Sequence, residues 1–342
     1  MAQHTASKKL HGFFKTMVQP DPEIHLTPRT AVWKKNKATL WHYAPSSKKY
    51  RIPVFLVYSL VNQPFILDLG PQSSLIEALA NSGYDVYLLD FGTPGYEDKD
   101  ITMNDYITEY IQKGVKRALY HARAEEITVM GFCLGGTFAA IYAAIAEEPV
   151  KNLVLSVSPV DFSTVPVFDK WAEELRNGGG SLDSIFDAWG LIPAFAIKSG
   201  MRLFTSPVYY SPYLSLLARG DDEAYASRWK RFNTWTNGHI PFAGAALKQI
   251  NHDLAKENKL VKGTLTIGDK KAVLSAIKAN LLAVASDNDR LVPKEQILPV
   301  MDLVSSADKT FHLLQGGHAN LTSEGKVPDY MDKWLSSRSG QI

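Results

Sequence analysis

From residue 52 onward the chain alternates between short, nearly unbroken apolar runs and longer stretches whose apolar positions follow a helical spacing. "PVFLVYS" (53–59), "YDVYLLDF" (84–91), "ITVMGF" (127–132) and "NLVLSVSPV" (152–160) are rich in β-branched residues and carry few polar interruptions. Strands covered on both faces read this way. Between them, "PQSSLIEALANSG" (71–83) and "MNDYITEYIQKGVKRALYHARA" (103–124) read as helices. Basic residues close the second, where they complement the negative end of a helix. Strand–helix alternation of this kind predicts right-handed crossovers and a mostly parallel sheet.

The alternation stops near residue 161. Residues 161–250 contain "RNGGGS", Ser-Pro turn signals and fifteen aromatic residues, among them Trp171, Trp189, Trp229 and Trp235. It resumes with "NLLAVASDND" (280–289), the helix-like "KEQILPVMDLVSS", the strand "TFHLLQ" (310–315) and a last helix near "PDYMDKWLSS". The pattern predicts an N-terminal segment over 1–48, with a two-stranded edge in "VWKKNKATLWHYAP" (32–45). It predicts an α/β core over 49–160 and 251–342, interrupted by an inserted aromatic-rich cap over 161–250. The aromatic insertion reads equally as a cover over a pocket and as ordinary packing.

Composition narrows the class. The chain has 342 residues, 45% hydrophobic and 21% charged, with a formal net charge of +2. Nothing in that balance suggests a nucleic-acid stripe. One cysteine excludes an internal disulfide and favours a reducing compartment. The first residues lack the apolar stretch of a signal peptide, and no apolar run reaches the length of a membrane span. The expectation is a cytoplasmic protein with no transmembrane segment.

The lone cysteine carries the chemistry. "GFCLGGT" places Cys133 between Gly131 and Gly135-Gly136, after a strand and before a helix. Gly-x-Cys-x-Gly-Gly at such a junction is the nucleophile-elbow pattern with sulfur replacing the usual oxygen. A free cysteine is often only a small core residue, but this junction lifts it to the carboxyl end of the sheet. The N–H of Leu134 would then face a bound carbonyl oxygen. An elbow nucleophile predicts an acid after a later strand and a histidine after the last one. "ASDNDRLVPKEQ" offers Asp287 and Asp289, either of which could equally be a helix cap, and "LQGGHANLT" offers His318. A second oxyanion donor is expected from "SLVNQPFILDLG", at Val61 or Asn62, and "DFGTPGYED" (90–98) reads as a site wall. No histidine shows metal-ligand spacing, so no metal is expected. His121, His239 and His252 read as surface or packing residues.

With these motifs in view, the chain resembles the poly(3-hydroxyalkanoate) synthases, in particular the short, two-subunit kind of Bacillus-like bacteria. The similarity runs from about residue 25 to the C-terminus through "LTPRTAVWKKNKATLW", "VNQPFILDL", "DVYLLDFGTPGYED", "GFCLGGT", "SPVDFS", "NKLVKG", "IKANLLAV" and "GGHA". The resemblance implies an α/β-hydrolase fold, Cys133 as nucleophile, His318 as base and Asp289 rather than Asp287 as acid. Two positions depart from the family: Arg290 stands where histidine is usual, and Phe91 where tryptophan is. The implied reaction transfers 3-hydroxyacyl units from coenzyme A to a growing polyester, with no cofactor beyond the coenzyme A that the substrate carries. Implied partners are 3-hydroxyacyl-CoA, a small helical subunit (PhaR-like or PhaE-like), the polyester granule and a second copy of the chain as a homodimer. Two other readings share the same scaffold. One is a cysteine-dependent thioesterase or esterase, and the other a non-catalytic granule protein.

Overall fold

The apolar runs become the centre of one eight-stranded sheet. The computed structural model describes residues 2–163, 182–205, 211–318 and 325–342. Strands β1 (Thr30–Lys35), β2 (Ala38–Tyr43), β3 (Val54–Val57), β4 (Val86–Asp90), β5 (Ile127–Phe132), β6 (Val150–Ser156), β7 (Asn280–Ser286) and β8 (Lys309–Leu314) lie in the order β1-β2-β4-β3-β5-β6-β7-β8. Pairings among β3 to β8 are parallel, whereas β1 and β2 add an antiparallel edge against β4. Side chains alternate across a strand, so each continuous run feeds two cores. Phe55, Val57, Val129 and Leu155 pack on one face with Ile107, Ile111, Phe138 and Ile141. Leu56, Met130, Val154 and Val284 pack on the other with Leu75, Leu79, Met331 and Leu335.

Helix boundaries follow local chemistry. Leu75–Ser82 begins where the Ser74 hydroxyl accepts the Glu77 N–H and ends at Gly83, whose φ of 102° suits glycine. The segment after β4 starts with a Thr102–Asp105 capping box and winds as a π-helix over Tyr106–Gln112 before Lys113–Ala122 continues it. The stretch expected as one helix after β7 forms two short ones, Lys294–Ile297 and Val300–Leu303, because Pro299 cannot continue the first. The strand expected over 152–160 stops at Ser156; Val157 turns out at φ 46°, which frees Ser158 to pack against the elbow.

The N-terminal segment contains an element that its sequence pattern does not announce. Helix α1 (Ala2–Val18) lies on α2 (Ser211–Arg219) and α3 (Glu223–Asn237), two helices carried between β6 and β7. Phe13 packs against the small cluster of Leu216, Ala226 and Trp229. The approach is close: a Cβ on Gly12 would sit 1.8 Å from the Gly220 carbonyl oxygen. Gly12→Ala is therefore expected to overpack this seat by about 1–3 kcal/mol. Amide exchange over residues 7–18 should rise well above wild type while the exchange of β5 and β7 is unchanged. Equal protection of α1 in both proteins would refute the dependence on that contact.

Candidate active site

Cys133 occupies the turn between β5 and helix α4 (Leu134–Ile145) with φ 52° and ψ −131°, a conformation that costs a non-glycine residue about 1–3 kcal/mol. Packing enforces it. A Cβ on Gly131 would lie 2.3 Å from Gly136 Cα, and one on Gly135 would lie 2.5 Å from the carbonyl oxygens of both Val57 and Tyr58. On Gly136 it would strike Ser158 Oγ at 1.8 Å. These three glycines let helix, strand and elbow close on one another. The Cys133 N–H donates to the Ser156 carbonyl at 3.0 Å, and its own carbonyl accepts from Gly136 at 2.9 Å. Leu134 opens the helix, so its N–H has no acceptor within the helix.

Asp289 and His318 arrive from the two neighbouring strands beyond β6. Asp289 follows β7, and its fully buried carboxylate divides its work. Oδ1 accepts the N–H groups of Leu291 and Val292 at 2.9 Å each, while Oδ2 meets His318 Nδ1 at 2.7 Å. His318 follows β8 and lines the same cavity as Cys133. Burial opposes a charged imidazole, but the Cys133 sulfur and the Asp289 carboxylate outweigh it, and the His318 pKa is raised to about 10. Asp287 does something else. Its Oδ1 accepts the Gly316 N–H at 2.8 Å, its own N–H donates to Leu314, and Asn288 N–H donates to Gly316. It stitches the two loops that carry Asp289 and His318.

Above these groups lies a cavity of about 400 Å³ with a mainly apolar wall. Val61 and Asn62 line it beside Cys133 and His318. The Val61 N–H lies 3.5 Å from Ser59 Oγ. The Asn62 side chain is committed elsewhere: its Nδ2 donates to the Trp235 carbonyl at 2.9 Å and its Oδ1 accepts the Gln63 N–H at 2.7 Å. Trp235 Nε1 returns a bond to the Gln63 carbonyl at 3.0 Å, and Asn62 bridges His239 through the backbone. Trp229, Phe232 and Trp235 of α3, with Tyr213 of α2, form the roof. These aromatics both pack and cover. Of the other two tryptophans singled out above, Trp189 is partly exposed and Trp171 lies outside the described residues.

Two expectations change. No residue of 90–98 lines the cavity among the described residues. That loop folds toward the β1–β2 hairpin instead, where Lys37 pairs with Asp98 and Phe91 stacks edge-on with Tyr106. His239, expected as a surface or packing residue, is a wall of the cavity, and burial followed by the charges of Lys198 and Arg202 lowers its pKa to about 4. Tyr58 was hidden inside an apolar run, yet it lines the cavity too. Burial first, then the Cys133 sulfur, holds its phenol well above the ordinary range. The signal for Tyr58 was its place at the carboxyl end of β3, two strands' width of chain from the elbow but adjacent in the sheet. Among the described residues no group of three His, Cys, Asp or Glu is arranged to hold a metal, and no helix is long and apolar enough to cross a membrane.

Comparison with known proteins agrees with this architecture. The profile of the alpha/beta hydrolase fold matches residues 52–324. The poly(3-hydroxyalkanoate) polymerase subunit PhaC of Haloferax mediterranei is 32% identical over 92% of this chain and 64% of its own length. This chain thus spans a little under two thirds of that relative. The subunit of the same name from Synechocystis sp. is 32% identical over 94% of this chain and 87% of its own. A soluble variant of Saccharomyces cerevisiae monoglyceride lipase superposes with a TM-score of 0.57, covering 94% of this chain and 99% of its own. Its 14% identity bears on the fold alone.

The raised His318 pKa has a consequence for stability. A base whose folded pKa exceeds its unfolded value of about 6.5 stabilises fully below that value, and the contribution fades as pH climbs toward the folded pKa near 10. Urea midpoints measured from pH 6 to 10 should therefore fall more steeply for wild type than for His318→Asn. Parallel curves would show that the imidazole is not held charged by its two neighbours.

Proposed function

The chain belongs to the alpha/beta hydrolase fold family and to the poly(3-hydroxyalkanoate) polymerase subunits, and on that premise we propose that it polymerises 3-hydroxyacyl groups from coenzyme A thioesters through an acyl-Cys133 intermediate. The observation that carries the reading is a lone sulfur at a strained elbow, sharing a cavity with a histidine that a buried carboxylate holds.

In the first half-reaction His318 already holds the proton of Cys133, and the thiolate attacks the thioester carbonyl. The carbonyl oxygen takes the negative charge, facing the N–H of Leu134 and a second donor from the Val61–Asn62 loop. The Asn62 side chain is occupied, so the second donor is a backbone N–H of this loop, that of Val61 or of Asn62. Collapse breaks the bond to coenzyme A, whose thiolate takes the proton from His318 and leaves as the free thiol. One thioester has replaced another, so little activation is lost. In the second half-reaction a hydroxyl of the growing chain passes its proton to His318 and attacks the acyl-Cys133 carbonyl. A C–O bond forms, the C–S bond breaks, and the proton returns to Cys133. Exchange of a thioester for the more stable oxoester drives elongation, which a serine nucleophile would forfeit at the first step.

Water competes with the second half-reaction, so the aromatic roof of Trp229, Phe232 and Trp235 belongs to the chemistry as a shield. Short 3-hydroxyacyl units such as 3-hydroxybutyryl suit the proposed substrate. A small helical subunit of the PhaR or PhaE kind, cytoplasmic polyester granules and self-pairing complete the proposed setting.

The deciding experiment supplies 3-hydroxybutyryl-CoA and asks whether polymer or free acid accumulates; free acid alone would make the chain a thioesterase. Cys133→Ala should remain folded and make no polymer, and polymer from that variant would remove the assigned nucleophile. Asp289→Asn is expected to slow turnover by about 10³–10⁴-fold, as loss of the orienting acid does in comparable triads. Asp287→Asn should stay within about tenfold of wild type, because a neutral acceptor can still hold one N–H and the net value of such a bond is about 1 kcal/mol. The reverse ranking would exchange the two roles.

A further inference from the structure

Several polar side chains in the cavity wall are already engaged by neighbours. Asn62 and Asp289 hold backbone groups and, for Asp289, the base. Asn233 Oδ1 accepts the Tyr213 hydroxyl at 3.0 Å, and the Thr236 hydroxyl donates to the Asn233 carbonyl at 2.9 Å. Tyr58 differs. It lines the cavity together with Cys133 and His318. In the sheet Val57 is paired with Gly131, so Tyr58 leaves β3 level with Phe132, one residue from the nucleophile. The Tyr58 and Phe132 rings pack with centroids 6.4 Å apart. The Tyr58 carbonyl is also what a Cβ on Gly135 would meet at 2.5 Å, so the residue is held against the elbow. Among the described residues no hydrogen bond engages its hydroxyl. Burial, and then the nearby sulfur, keeps that phenol protonated through the neutral range.

We propose that Tyr58 sets specificity for the acyl group, its hydroxyl donating a hydrogen bond to the 3-oxygen of the unit carried on Cys133. The inference rests on the acyl-Cys133 reading and names the side chain that tells a 3-hydroxyacyl unit from a plain acyl one. Backbone N–H groups, from Leu134 and from the Val61–Asn62 loop, answer the carbonyl oxygen. The 3-oxygen, two carbons further along, is the remaining polar atom of a 3-hydroxybutyryl unit, and it enters a mainly apolar wall. Leaving it unpaired there costs free energy. A phenol has one proton to give and lone pairs to offer. It can therefore pair with that oxygen whether it is a free hydroxyl or already part of an ester. A butyryl group brings no such oxygen and leaves the phenol buried without its partner, which is how a site built around a substrate hydroxyl rejects the analogue lacking it.

The test compares two donors with the full-length chain. One is 3-hydroxybutyryl-CoA; the other is butyryl-CoA, identical except for the missing 3-oxygen. Acylation of Cys133 is followed by intact-mass spectrometry in single turnovers, at donor concentrations below saturation. Wild type should react faster with the hydroxylated donor. The variant is Tyr58→Phe, which keeps the ring that packs on Phe132. In it that preference should shrink about tenfold, the scale of one neutral hydrogen bond, while butyryl-CoA reacts within about twofold of wild type. Equal rates with both donors in wild type, or an unchanged preference in the variant, overturns the role. So does an equal fall for both donors, which would assign the hydroxyl to the carbonyl oxygen or to packing. Failure of wild type to acylate with either donor would instead overturn the thioester reading itself.

Discussion

The close approach of three glycines around Cys133 is the constraint on which the site depends. Gly131, Gly135 and Gly136 let helix α4 press onto the ends of β3 and β5, and that pressure holds a cysteine at φ 52°. The strain is local, but its effect is to fix a sulfur relative to two other strands. Parallel strands set side by side deliver β7 and β8 to the same end of the sheet, so residues 156 and 185 positions downstream come to the same cavity as Cys133 without any long connection having to reach it. A sheet buried on both faces resists distortion, which keeps those distances once the core is packed.

Much of this was legible in the sequence, for physical reasons. Continuous apolar runs identify strands that must be covered twice, and the glycine pattern marks the one turn that admits no side chain. The order of acid and histidine follows from the sheet. What stayed hidden involved contacts between distant segments. Helix α1 has a mixed, basic surface, and its seat exists only because Gly220, more than two hundred residues later, lets Gly12 approach. Asp287 and Asp289 look alike on local chemistry, and only the family resemblance singled out Asp289; what the sequence did not show is that Asp287 ties its loop to Gly316 while Asp289 turns inward to His318. His239 looks like any loop histidine until a backbone bridge to Asn62 places it in the wall. Pro299, by contrast, was visible, and its interruption of the helix after β7 could have been read directly.

The proposed reaction would place two demands on the cavity. The acyl-enzyme would have to be kept from water, yet each cycle would admit a large, polar donor and expel its thiol. Aromatic rings over the elbow serve the first of these, because they exclude solvent from the carbon. Division of labour between the two carboxylates follows the same logic, with Asp289 sealed and committed and Asp287 left to hold the framework at the surface.

The double clasp between Trp235 and the Asn62–Gln63 segment ties the roof mechanically to the loop beneath it. The two cannot travel separately: lifting the roof at Trp235 would drag the backbone proposed to cradle the transition-state charge. An enzyme caught ajar would thus be a poor catalyst at the very moment solvent can reach the tethered acyl group. Fidelity toward chain growth over hydrolysis would then come from interlocking parts, with no separate proofreading step.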